Sequence, residues 1–167
     1  MRHEGSVRVH VRVVSGYSSV SRVAGFEQQP STPRVRLRSA SNKELPLNGA
    51  WWPRSDDPVA ELPGLVMALD ELGDGQVTRL VLHRPSWSSF PARLTVAGRV
   101  VTVGYFTTQP LNLLIAMRDS YGWRLDLLTI PPNTPEDVAE LAMEKASADD
   151  NDVPAQFMLS GIEASKQ

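Results

Sequence analysis

Ala92-Arg93-Leu94-Thr95-Val96-Ala97-Gly98-Arg99-Val100-Val101-Thr102-Val103 decides how this chain folds. Two alternating runs flank Ala97-Gly98, a dipeptide suited to a two-residue hairpin turn. That register sets Leu94 opposite Val101 and Ala92 opposite Val103 on one face. Arg93, Thr95 and Thr102 fall on the other, the pattern of a half-buried antiparallel pair. A second hairpin is expected downstream, with Leu111 to Met117 and Trp123 to Ile130 around Asp119-Ser120-Tyr121-Gly122. Gln76 to Leu82 supplies another strand. Connections this short leave no room for helical crossovers, so a mostly antiparallel sheet is expected.

Upstream, Arg34-Val35-Arg36-Leu37-Arg38 alternates, which turns Val35 and Leu37 inward and three arginines outward. In Gly49-Ala50-Trp51-Trp52-Pro53-Arg54-Ser55, adjacent indoles on an extended backbone must point opposite ways. One is therefore expected in the core and the other elsewhere. Ser55 can cap a helix whose first turn holds Asp56, Asp57 and Pro58, where carboxylates meet free amides. Val59, Leu62, Leu65, Val66, Leu69 and Leu72 form its apolar stripe. Pro63 predicts a kink or a turn between two helices, and Gly73-Asp74-Gly75 a stop. Thr134-Pro135-Glu136-Asp137 starts a second main helix, with Thr134 as cap and Val138, Leu141, Ala142 and Met143 facing inward. Asp149-Asp150-Asn151-Asp152 breaks the chain before an amphipathic tail, Ala155 to Ile162. The expected fold is α+β: five or six mostly antiparallel strands with two main helices packed on one face. Residues 33–147 form the core domain, 148–167 an acidic linker and tail, and 1–32 a loosely ordered basic leader in which Val7 to Val13 alternates as an edge strand would.

Composition narrows the function classes. The 167 residues are 41% hydrophobic and 22% charged, ordinary for one soluble domain. A chain of this length buries roughly two-thirds of its unfolded surface and needs no staple. The absence of cysteine removes disulfides, thiolate metal sites and cysteine nucleophiles, and fits a reducing cytoplasm. No apolar run has the length of a membrane span, and Met1 to Val14 lacks the apolar centre of a signal peptide. Residues 1–43 hold eight basic groups against Glu4 and Glu27, so the remainder is acidic overall. Arginine outnumbers lysine 14 to 3, a bias a GC-rich genome also produces.

The Trp51-Trp52-Pro53-Arg54-Ser55 element, Glu61-Leu62-Pro63, Leu94 to Arg99, and Leu125-Asp126-Leu127-Leu128 with Pro131-Pro132 resemble an uncharacterised actinobacterial family of small proteins built around a W-W-P-R-S core. The resemblance covers roughly residues 33–147, and W-W-P-R-S is its most specific part. It implies a bacterial cytoplasmic domain of unknown function and transfers no catalytic residue.

Chemistry-bearing patterns are sparse. His3, His10 and His83 show no metal-ligand spacing. Neither a phosphate loop, a dinucleotide fingerprint nor a nucleophile elbow is present, so no cofactor is expected. Asp56-Asp57 has a structural role at the helix start. His83 could act as a base beside Ser55 with Asp56, Asp57 or Asp126 to orient it. Asp126, mid-strand in an apolar run, needs a partner if buried, and Arg54 is the expected one. The remaining candidates are rings and guanidiniums: Trp51, Trp52, Trp87, Tyr105, Phe106 and Trp123, with Arg54, Arg84, Arg93 and Arg124. The binding residues singled out are Trp51, Trp52, Arg54, Trp87, Arg84 and Trp123. Trp with Arg is the composition of protein-interface hot spots and equally of single-strand nucleic-acid grooves. The reading is a non-enzymatic binding or regulatory module acting on another protein. The alternatives are a nucleic-acid or nucleotide binder and a small hydrolase-like enzyme.

Overall fold

The computed structural model describes residues 32–39, 44–73, 75–119 and 122–166, so the expected leader, but for Thr32, lies outside the described residues. The hairpin forms as its register demands. Strands β4 (Arg93–Val96) and β5 (Arg99–Phe106) pair antiparallel, with Leu94 opposite Val101. Ala97 and Gly98 both take positive φ, 48° and 79°, which matches the turn to the strand twist. Leu94, Val96, Val101 and Val103 are buried, and Arg93, Thr95, Val100 and Thr102 are exposed.

The sheet is larger and more mixed than expected. Strands β1 (Val35–Leu37), β2 (Gly49–Trp51), β3 (Val77–His83), β6 (Leu113–Arg118) and β7 (Arg124–Thr129) join the hairpin in seven strands, ordered β1-β2-β7-β6-β3-β5-β4. Two of the pairings are parallel, β2 with β7 and β3 with β5. Short connections do not enforce antiparallel neighbours here, because β4 lies at the outer edge and β5 returns inside it beside β3. The extra strand, β2, is only three residues long. In consequence β2, β7, β3 and β5 all run in one direction and end on one rim of the sheet.

The helices are divided between two cores instead of gathered on one face. Helix α1 (Pro58–Asp70) packs in a cluster that holds Trp51, Leu80, Leu82, Val101, Leu114 and Leu127. Helices α2 (Glu136–Ala146) and α3 (Ala155–Ser165) pack in another with Leu47, Ala50, Leu128 and Ile130. Ala50 and Trp51, like Leu127 and Leu128, are strand neighbours and so belong to opposite faces. The adjacent indoles divide as expected: Trp51 sits in the α1 cluster, and Trp52 packs against the α2–α3 cluster.

Helix α1 continues through Pro63. Leu62, Leu65, Val66 and Leu69 are fully buried, and together they outweigh the roughly 3 kcal/mol that an interior proline costs through its missing N–H and its ring clash. Its cap is Asp57, whose side chain accepts the Val59 N–H at 3.0 Å, and not Ser55. Val59 and Leu72, expected on the stripe, are exposed. Helix α2 starts after Pro135 without a side-chain cap, so Thr134 does not cap it. Arg38, expected outward, is buried, with its Nε 4.0 Å from Asp149; burial lowers its pKa.

Asp70 ties α1 to the sheet. Its Oδ1 accepts the Val77 N–H at 2.7 Å and its Oδ2 pairs with Arg99, which also donates to the Val77 carbonyl. Asp70→Ala strips two partly buried donors of their acceptor and is expected to cost about 2–3 kcal/mol. A urea titration showing less than a quarter of that loss would remove Asp70 as the tie.

Candidate functional site

The rim where β2, β7, β3 and β5 end carries a hollow of about 230 Å³. Each of these strands delivers one wall. Pro53, Ser55 and Asp56 follow β2; Ser86 and Trp87 follow β3; Leu111 and Asn112 end the loop from β5; Thr129, Pro131 and Pro132 close β7. Strand ends that share a direction leave their loops free to converge, which is why open sheets bind at the carboxyl edge. The lining is mainly apolar, with Trp87 and three prolines, and Leu111 is 48% exposed at its mouth.

Local bonds hold the walls. The Ser88 N–H and hydroxyl both donate to the Asp56 carbonyl at 3.0 Å, joining the β2 and β3 loops. The Thr129 N–H donates to the Asn112 carbonyl at 2.6 Å, joining the β5 and β7 loops. Asn112 adopts φ 64°, a conformation its side chain tolerates well. The Ser55 hydroxyl donates to Glu61 at 2.9 Å, and Glu61 is buried. The His83 Nδ1 lies 2.8 Å from the Ser86 hydroxyl across a single 3₁₀ turn, Arg84–Ser86.

Ser55 and His83 therefore have separate partners, and no Ser55–His83 contact assembles a catalytic set among the described residues. Nor does any group of three His, Asp or Glu among them have a geometry that could hold a metal.

Of the binding residues expected from sequence, only Trp87 lines this hollow. Trp51 stacks on Trp87, centroids 5.8 Å apart and planes 18° from parallel, and both rings are buried. Trp52 is half-buried beneath Arg34, whose guanidinium lies 3.6 Å from the ring centroid and donates to the Trp52 and Pro53 carbonyls, both at 2.9 Å. Burial and then the nearby Arg54 charge lower the Arg34 pKa. Trp123 is half-buried under Arg118, at 3.8 Å. Arg84 lies over Phe90, at 4.0 Å. Arg54 donates to the Thr32 carbonyl at 2.6 Å, and Asp126 is instead held by Arg124 through two bonds of 2.5 and 2.8 Å. The Arg54–Asp126 pair is thus replaced by a pair on one strand. Nothing in the sequence marks Leu111 or Asn112 as site residues, and Pro53, Pro131 and Pro132 are marked only by the family resemblance, because each wall is a separate loop.

A wider hollow of about 660 Å³ lies beside Glu44, Asp126 and Asp152. Its arginine, Arg124, is already committed to Asp126, and its wall lacks the convergence of strand ends.

The fold and hollow define an α+β domain with a small apolar site at the end of a mixed sheet. The chain belongs to DUF5994, a family of unknown function, whose model matches residues 34–146. No curated protein and no solved structure matches the chain. No helix among the described residues is long and apolar enough to cross a membrane.

Proposed function

We propose that this chain is a non-enzymatic binding module acting through a protein surface, and that its rim hollow takes one apolar side chain of a partner protein. The observation that carries this reading is the meeting of four separate loops around Trp87 and three prolines. A volume of about 230 Å³ is below the roughly 300–1,000 Å³ of small-molecule sites and suits a single anchoring residue. The pocket hydroxyls of Ser55 and Ser86 are occupied by Glu61 and His83, and Asp56, Asn112 and Thr129 add polar groups to a lining otherwise made of Trp87, Leu111 and three prolines. The Ser86–His83 pair gains no hydrolytic role from this geometry, since no carboxylate orients the imidazole among the described residues. A cytoplasmic, actinobacterial protein with W-W-P-R-S as its family hallmark is the setting we infer. The cysteine-free, arginine-rich composition supports it.

Selection of a random peptide library against the wild type and Leu111→Asp tests the proposal. Leu111 is half exposed, so the variant should fold with stability changed by no more than about 0.5 kcal/mol. A recurring apolar anchor enriched by the wild type and lost with the variant is the expected result. Identical peptides from both proteins would end this reading of the rim.

A further inference from the structure

We propose that the uncovered half of the sheet, on the face opposite α1, binds single-stranded nucleic acid, at a surface separate from the rim hollow. Helices α2 and α3 lie over β1, β2 and β7. Beyond them Arg79 on β3, Val100, Thr102 and Phe106 on β5, and Arg93 and Thr95 on β4 are exposed, Val100 to 57% and Phe106 to 44%, while Val81 in their midst is buried. Register sets Arg93, Thr102, Arg79, Met117 and Arg124 in one row across five strands. Arg93 and Arg79 thus stand two strands apart, about 9–10 Å, while Arg124 at the end of the row is paired with Asp126. Arg79 and Arg93 are exposed and have no partner among the described residues. Strands β3, β4, β5 and β6 contain no carboxylate at all.

Further along the same face, Phe106 lies flat on the sheet. A Cβ at Gly104 would stand 2.7 Å from its Cε2, so only glycine lets the ring lie down. The ring's outer side faces solvent next to His83, its cross-strand partner. A row of cations with a flat exposed ring is how bases and phosphates of an unpaired strand are held together. The chain's own first 31 residues carry four arginines against two glutamates, the same sign as this face. A second copy would have to present its acidic α2 side, a head-to-tail contact that builds rings or filaments and not a two-fold dimer. An acidic protein segment would satisfy the arginines but has no use for the ring.

The probe is a fluorescein-labelled oligothymidylate of about 15 nucleotides, read by anisotropy. Binding should weaken roughly sevenfold between about 50 and 200 mM salt, as expected for the two phosphates that Arg79 and Arg93 would neutralise. Arg79→Glu combined with Arg93→Glu should abolish it. Gly104→Ala keeps every charge but displaces the ring, and should weaken binding roughly tenfold. Leu111→Asp should leave it unchanged. Thermal melts of each variant confirm that these surface changes leave the fold intact. Absent binding at the lower salt overturns the proposal, as does indifference to the arginine changes or sensitivity to Leu111→Asp. Polyglutamate competing as well as unlabelled oligonucleotide, with Gly104→Ala silent, assigns the face to an acidic protein and also overturns it.

Discussion

Trp51→Ala is expected to lower the unfolding free energy by about 3–5 kcal/mol, the range for deleting a fully buried aromatic. The indole is 1% exposed and stacked on Trp87, in a cluster that also holds Leu62, Leu82 and Leu127. Its removal would open a void beneath α1 and leave one face of Trp87 without contacts. Guanidinium denaturation should show a lower midpoint at an unchanged slope, the mark of lost stability in the same folded state. Trp52→Ala should cost less, because that ring is only half-buried and is covered by Arg34. A Trp51 variant within about 1 kcal/mol of wild type would refute the anchoring role.

Gly49→Ala is expected to be nearly as damaging, at about 3 kcal/mol. Gly49 has φ +157°, and an added Cβ would stand 2.1 Å from the Arg36 carbonyl oxygen and 2.9 Å from the Leu37 Cα. Both obstacles are backbone of β1, paired with β2 through Leu37 and Gly49. They cannot rotate away as a side chain could, so strands β1 and β2 must separate. The Arg38 N–H, which donates to the Asn48 carbonyl at 2.7 Å, should then exchange with solvent much faster. Unaltered exchange at Arg38 together with an unshifted melt would show that the strand pair absorbs the methyl group.

What could be read without coordinates was what local chemistry decides. Ala97-Gly98 needs only its own backbone to turn the chain, and the Leu94–Val101 register follows from it. The opposed burial of Trp51 and Trp52 follows from the strand pleat alone. The partners of β2 and β3 are a different matter. Gly49-Ala50-Trp51 is too short to show alternation, and its parallel alignment with Leu127-Leu128-Thr129 is chosen by packing between segments remote in sequence. The two-face arrangement of helices follows from the same choice, since Ala50 and Leu128 turn toward α2 and α3 while Trp51 and Leu127 turn toward α1. Capping misled at both helices: Asp57 outcompetes Ser55, whose hydroxyl is occupied by Glu61, and Pro135 takes the place given to Thr134. The rim hollow was invisible for a plainer reason. Leu111, Asn112 and Pro131 mean nothing separately and become a wall only when four strands end together.

That meeting has a thermodynamic corollary. Whatever fills the hollow touches the stretch after Trp51 and the stretch after Thr129 at once, and so fastens distant lengths of polypeptide like a clasp. Its association energy must then appear as resistance to melting, growing with the logarithm of its concentration. A dye-based heat-denaturation screen can therefore look for the natural occupant without any assay of what the protein does.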